Sequence, residues 1–143
     1  MKQAGRRMLW LIAAVYLAVL LRITVFRSDF LTHPLFREGQ VLLIPFVSLY
    51  RILQNSVPMF VYLLVGNLVW FVPLGLLLPI LTGCGKRVVL WGFCLSLFIE
   101  CGQFVFGTGV TEVEDLILNT AGTWIGWVWY RIGCRVIKRR HTG

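Results

Sequence analysis

The chain has 143 residues, of which 58% are hydrophobic and 14% are charged, and its mean hydropathy is +0.80. This composition excludes an ordinary soluble domain and predicts one integral membrane domain over residues 1–143. The net charge of +8 is compatible with nucleic acid, but the basic residues stand beside apolar segments. We therefore expect them to orient the chain in a bilayer, and we expect no nucleic-acid partner.

The first predicted membrane span covers residues 8–26 and follows a short basic stretch. A basic start before an apolar run is also typical of a signal peptide, which is the alternative interpretation. No small-x-small cleavage site follows the run, so we expect an uncleaved helix. Arg22 lies near its far end, where a charge is costly unless it is paired.

The apolar segment 41–50 is too short to cross about 30 Å of hydrocarbon, and Pro45 interrupts it. We predict an interfacial or re-entrant segment here. A polar stretch that begins with Arg51 follows it.

The second predicted span, residues 58–81, carries no charge. Pro58 suits the first turn of a helix, whereas Pro73 lies in the interior and is expected to kink it. Asn67 makes this span locally polar, and we expect it to hydrogen-bond a neighbouring helix.

The third predicted span, residues 88–106, contains Glu100 and Gln103. These two residues are one turn apart, so they share a face that should point into the bundle. A carboxylate inside a membrane usually marks a functional site, and the alternative is a buried structural pair that ties helices together.

The fourth predicted span, residues 116–137, follows the acidic loop 107–115. Asp115 and Asn119 stand four apart, so a helix places them on one face. Glu112 and Asp115 also suit the positive end of a helix dipole.

Three further patterns occur near this span. Thr111 and Glu114 have the spacing of a capping box, which favours a structural role for Glu114. Gly122 and Gly126 form a GxxxG motif, which permits close helix approach and a homo-oligomer. Glu100, Glu112 and Asp115 supply oxygen ligands that suit a divalent cation, but we predict no metal and no cofactor.

Four spans place both termini on one side of the membrane. Ten of the fourteen basic residues and no acidic residue lie on that side, namely Lys2, Arg6, Arg7, Lys86, Arg87, Arg131, Arg135, Lys138, Arg139 and Arg140. The positive-inside rule therefore predicts a multi-pass protein of the cell membrane with cytoplasmic termini and the loop 107–115 outside. Arg22 and Glu100 then lie at similar depth, so we predict an ion pair between them, with Arg51 as the alternative partner.

Two stretches of the chain resemble the VanZ-like family of small bacterial membrane proteins. The stretch 66–79 matches the family pattern Asn-x-x-x-Phe-x-Pro-x-Gly through Asn67, Phe71, Pro73 and Gly75. The stretch 98–126 matches a second pattern through Glu100, Gln103, Glu112, Asp115, Asn119, Gly122 and Gly126. The segment LIPF, residues 43–46, is similar to a third pattern, although Leu42 stands where the family usually has Asn and the loop GTGVT lacks the family's Arg.

The resemblance implies an all-α integral membrane domain and an envelope function, because the family's namesake is associated with resistance to the glycopeptide teicoplanin. The first hypothesis is a non-enzymatic protein whose polar site at the outer leaflet binds an anionic or amphiphilic ligand, such as a lipid, a lipid-linked wall precursor or a lipoglycopeptide. Its ligand would be held by Arg22, Arg37, Arg51, Asn67, Glu100, Gln103, Glu112, Asp115 and Asn119. The alternative is an enzyme that acts on a lipid head group with Glu100 or Asp115 as general base. A small transporter subunit is a third hypothesis.

Overall fold

The computed structural model describes residues 3–26, 35–36 and 40–141, and this part of the chain is mostly helical, as predicted. The structure also contains two short strands that pair in parallel, which the all-α prediction did not include. In chain order the elements are α1 (Gln3–Thr24), β1 (Gln40–Leu42), α2 (Val47–Asn55), α3 (Val57–Thr82), a 3-10 turn (Gly85–Arg87), α4 (Val88–Phe106), β2 (Val110–Glu112) and α5 (Val113–His141).

Three helical segments of the described chain are long and apolar enough to cross a membrane. They are α1, α3 and the segment Gly85–Phe106, which ends with α4. α5 has 29 residues but is not one of these candidates. Its central turns contain glycine, threonine and tryptophan, which have low hydropathy, and Arg131 and Arg135 follow. The fourth span therefore stays a prediction.

The apolar segment 41–50 is not a single element. β1 ends at Leu42, and a turn leads to Phe46, whose φ of 63° lies in the left-handed region. α2 begins immediately afterwards and continues through Arg51, so most of the polar stretch that begins with Arg51 is helical. Leu49 is the buried residue of α2, which indicates how this short helix is attached to the bundle.

The strand pair joins two connections that are far apart in the sequence. Gln40 pairs with Val110 and Leu42 pairs with Glu112. The pairing satisfies backbone polar groups that an irregular loop would leave without partners. It also fixes the start of α5 beside the start of α2.

α3 packs more extensively against α5 than against any other described element. A Cβ atom at Gly122 or Gly126 would collide with the carbonyl oxygen of Leu68 or Val72, respectively. On α3, the Cα atom of Gly75 would lie 3.0 Å from a Cβ at Gly126. The face of the GxxxG motif is thus packed against α3 of the same chain, and the predicted homo-oligomer through these two glycines stays a prediction.

α1 docks onto α3 at the turn that contains Pro73. The Tyr16 hydroxyl donates a hydrogen bond of 2.6 Å to the carbonyl oxygen of Trp70, and it also interacts with the N–H group of Leu74. Proline lacks an N–H group and disturbs the helical hydrogen bonds around it, so a side chain can insert there. Phe71 anchors the hydrophobic core directly beneath this contact.

We expect Tyr16→Phe to destabilise the protein by about 1 kcal/mol, the usual net contribution of one hydrogen bond. The change keeps the ring and removes only the hydroxyl group. Thermal unfolding in detergent measures the effect, with Tyr50→Phe as the control because Tyr50 is exposed on α2. Equal midpoints for the two variants would contradict this account of the docking.

Candidate functional site

A cavity of about 470 Å³ opens where α1 and α4 end and α3 and α5 begin. Its wall is divided between apolar and polar side chains. Six polar side chains line it, namely Thr24, Asn67, Gln103, Glu112, Glu114 and Asp115. We call it the acidic pocket because three of them are carboxylic acids. Four of these six, Asn67, Gln103, Glu112 and Asp115, are predicted site residues.

Glu112 is held between two helices by both its backbone and its side chain. Its N–H group donates a hydrogen bond of 2.9 Å to Oε2 of Glu100. Its own Oε1 accepts a hydrogen bond of 2.8 Å from the hydroxyl group of Ser48 on α2. Because β1 also pairs with Glu112, this carboxylate is fixed at the edge of the pocket.

Glu114 is 3% exposed, and its Oε1 accepts a hydrogen bond of 3.2 Å from the N–H group of Leu49. The predicted capping box is therefore wrong: the Thr111 hydroxyl donates instead to the carbonyl oxygen of Glu100. The second oxygen of Glu114, Oε2, is buried and has no hydrogen-bond donor in the described chain. The Glu114 carboxyl group also lies within hydrogen-bonding reach of Glu112.

This environment disfavours a charge on Glu114, which precedes the predicted span 116–137. Burial, followed by the neighbouring Glu112, raises the pKa of Glu114 to about 7. The hydrogen bond from Leu49 acts in the opposite direction but does not cancel the increase. Glu114 is thus a carboxyl group that changes its charge near neutral pH.

Asp115 also lines the pocket and is hydrogen-bonded to α3. Asn67 donates a hydrogen bond from Nδ2 to Oδ1 of Asp115, which confirms the predicted interhelical hydrogen bond of Asn67. Burial and then the charge of Glu112 raise the pKa of Asp115 to about 6, and the bond from Asn67 partly offsets this. Both partners line the acidic pocket.

Glu100 and Asn119 do not line the pocket. Glu100 is 4% exposed, and its carboxylate and its carbonyl oxygen accept hydrogen bonds from Glu112 and Thr111. Asn119 donates a hydrogen bond of 2.9 Å to the hydroxyl group of Ser96, and both residues are buried between α4 and α5. These contacts attach β2 and α5 to α4, which supports a structural role for both residues.

Gln103 lines the pocket, and its Nε2 makes a long hydrogen bond of 3.4 Å to the carbonyl oxygen of Thr24. This contact ties the end of α4 to the end of α1. Of the two residues predicted to share a face, Gln103 lines the pocket wall, whereas Glu100 makes a structural contact with β2 and does not line the pocket.

Neither predicted arginine pairs with Glu100. Arg22 is exposed at the end of α1, where its guanidinium group donates to the carbonyl oxygen of Phe26. Arg51 is exposed on α2 and does not line the pocket. The predicted ion pair is wrong because the helix end offers Arg22 a nearer acceptor and β2 already occupies the carboxylate of Glu100. Arg37 lies outside the described residues.

We expect Glu100→Ala to cost about 1–3 kcal/mol, because it leaves the N–H group of Glu112 without its acceptor. Glu100→Gln keeps an acceptor oxygen and is expected to retain most of the stability. Thermal unfolding of the two variants measures the difference. A loss in Glu100→Gln as large as in Glu100→Ala would show that the charge, not the hydrogen bond, is required.

Sequence reasoning missed three parts of this site: the carboxylate of Glu114, the hydroxyl group of Ser48 and the aromatic wall of Tyr62 and Trp70. One signal was present in the sequence. Three carboxylates within four residues, from Glu112 to Asp115, repel one another more than capping a single helix requires.

Comparison with known proteins shows the family of the chain. A family model described as VanZ/LLP1 matches residues 13–135, which include every residue that lines the pocket. Protein VanZ from Enterococcus faecium is 28% identical over 117 residues, which cover 79% of this chain and 67% of that protein. No solved structure matches the chain. Since the family model covers most of its length, the chain belongs to the VanZ/LLP1 family.

Proposed function

We propose that this chain is a cell-envelope membrane protein whose acidic pocket binds the head group of an amphiphile at the outer leaflet. The observation that carries this proposal is the position of the cavity. Its polar wall lies at one end of three apolar helices, where a head group and an acyl chain would meet. Ile23 and Tyr62 line the cavity and are also exposed on α1 and α3, so they offer apolar surface beside the polar wall.

The distribution of positive charge supports the proposed sidedness. At the opposite end of the bundle, α1 begins, α3 connects to α4, and α5 ends. That end exposes Arg6, Arg7, Lys86, Arg87, Arg131, Arg135, Lys138 and Arg139. The positive-inside rule favours the cytoplasm for this end, so we propose that the acidic pocket lies outside.

This topology requires α5 to cross the bilayer as the fourth span. Its 29 residues give a helix of about 44 Å at 1.5 Å per residue, which exceeds the hydrocarbon thickness. Its close packing along α3 covers its small and polar residues with protein, which lowers the cost of placing them at membrane depth.

The relationship to protein VanZ supports an envelope component or an antibiotic as the amphiphile. A lipid, a lipid-linked wall precursor and a lipoglycopeptide each combine a polar head group with an acyl chain. We propose that holding such a molecule contributes to glycopeptide resistance. We propose binding rather than catalysis, since only Asp115 of the two predicted acid–base residues lines the pocket and Glu100 does not.

Asp115→Asn and Glu112→Gln test this function in a teicoplanin-susceptible bacterium that expresses the chain. We expect the wild-type chain to lower susceptibility and both variants to return it towards that of cells without the chain. Arg51→Gln is the control, because Arg51 is exposed and does not line the pocket. Membrane abundance of each variant must match the wild type.

The lipid profile of the same cells separates binding from catalysis. An unchanged lipid pool together with lost resistance supports binding. A lipid product that appears with the wild-type chain and disappears in Asp115→Asn would replace this proposal with an enzyme. Full resistance in both variants would show that the acidic pocket is not the functional site.

A further inference from the structure

We propose that the acidic pocket selects amphiphiles whose head group carries an ammonium group, which it binds between the carboxylates of Glu112, Glu114 and Asp115 and the aromatic faces of Tyr62 and Trp70. This inference rests on the binding function proposed above and adds the charge of the ligand. It also replaces the expectation of an anionic ligand, which depended on arginines that do not line the pocket.

The charge of the pocket wall is negative. Three carboxylates line the cavity, and no lysine, arginine or histidine of the described chain does. The two side-chain amides, Asn67 and Gln103, each already donate one N–H group to a protein acceptor. A phosphate or carboxylate head group would therefore meet like charges and few free donors, whereas an ammonium group meets acceptors of opposite charge.

Glu114 supplies an independent observation that points to a ligand. Its side chain is 3% exposed, and its Oε2 has no donor partner in the described chain. A buried carboxylate oxygen without a donor is costly, so native structures normally provide one. A positive charge in the pocket near Glu112 and Glu114 would stabilise this oxygen electrostatically and would relieve the mutual repulsion of the two carboxylates.

The aromatic wall fits an organic cation. Tyr62 and Trp70 both line the cavity from α3, and they remain 71% and 43% exposed. Electron-rich aromatic faces attract ammonium groups and contribute more when the cation is partly removed from water.

Binding of matched probes by the full chain in nonionic detergent tests the inference. Three fluorescent probes share one dodecyl tail and carry an ammonium, a phosphate or an uncharged hydroxyl head group. We expect the ammonium probe to bind about tenfold or more tightly than the phosphate probe, a difference that anisotropy titration resolves. If the phosphate probe binds equally well, the inference is overturned while the proposed amphiphile site stands.

Two variants connect this preference to the pocket. Glu114→Gln is expected to weaken the binding of the ammonium probe by about tenfold and to leave the affinity for the hydroxyl probe unchanged, because the variant removes only one negative charge. Asp115→Asn serves as a second variant with the same expectation, should Glu114→Gln fail to fold. Arg51→Gln is the control and is expected to bind all three probes as the wild type does.

The remaining outcomes separate the two proposals. If no probe binds to correctly folded protein, the proposed function itself fails. If ethylammonium chloride displaces the ammonium probe as effectively as unlabelled dodecylammonium, the charge preference is supported and the requirement for an acyl chain is overturned. An unchanged ammonium affinity in both carboxylate variants would remove the pocket from the explanation.

Discussion

The Gly126→Ala variant is expected to lose about 3 kcal/mol or more of stability, whereas Gly133→Ala on the same helix is expected to keep its stability or gain some. A Cβ atom at Gly126 would collide with the carbonyl oxygen of Val72 and would lie 3.0 Å from Cα of Gly75. Both are backbone atoms, so no side-chain rotation relieves the collision. α3 and α5 would have to move apart along their whole contact.

The comparison with Gly133 isolates this contact from the general effect of alanine in a helix. Alanine favours a helix over glycine by about 1 kcal/mol, and both positions lie in α5. No atom lies within 4 Å of a Cβ at Gly133. The opposite signs expected for the two variants therefore arise from packing alone.

Thermal unfolding and size-exclusion profiles in detergent measure this difference. We expect Gly126→Ala to unfold at a clearly lower temperature or to aggregate during purification. If the two variants unfold at the same temperature, the close approach of α3 and α5 is not a feature of the folded protein. A wild-type dimer that dissociates in Gly126→Ala would instead support the predicted homo-oligomer.

The sequence predicts α3 and α4 well because long apolar segments largely determine them, whereas α1 begins at Gln3 and ends at Thr24 rather than at the predicted residues 8 and 26. The predicted spans 58–81 and 88–106 agree with α3 and α4 within one residue at each end. The location of the site is also predictable, since Asn67, Gln103, Glu112 and Asp115 are polar residues within or beside apolar segments. Polar side chains in such places require partners, so they mark the site before its shape is known.

The parts that the sequence does not predict depend on contacts between distant segments. Residues 40–42 pair with residues 110–112, and no local pattern indicates this register. The role of Glu114 depends on the N–H group of Leu49, which lies 65 residues away. Likewise, Gly122 and Gly126 indicate that some helix approaches closely, but not that the helix is α3 of the same chain.

The ligand-free protein is expected to unfold at a lower temperature at pH 8 than at pH 5, and Glu114→Gln is expected to reduce this difference. The pKa of Glu114 rises from 4.5 to about 7 on folding, and that of Asp115 rises from 3.8 to about 6. The folded state therefore binds more protons than the unfolded state between these values. Stability from both groups is fully present below pH 4 and is lost as pH rises through about 6 to 7.

Each element around the pocket contributes to this dependence. Glu112 on β2 and Asp115 on α5 add negative charge near Glu114, while the N–H group of Leu49 on α2 partly offsets it. Asn67 on α3 similarly offsets the effect of burial on Asp115. Glu114→Gln removes one titrating group and should raise the unfolding temperature at pH 8 by a few degrees.

The stabilisation of the protein by an ammonium amphiphile should increase with pH over the same range, whereas the stability of the ligand-free protein decreases. It binds the charged carboxylates, so the increase in unfolding temperature that dodecylammonium produces is expected to be larger at pH 8 than at pH 5. Thermal unfolding with and without the probe, at both pH values, measures the two effects together. Without the probe, the change in unfolding temperature with pH comes from the titration of the buried carboxyl groups. With the probe, the larger stabilisation at pH 8 comes from neutralisation of their charge by the ammonium group. A probe that stabilises the protein equally at both pH values would show that it binds away from Glu114 and Asp115, and Glu114→Gln should then leave its effect unchanged.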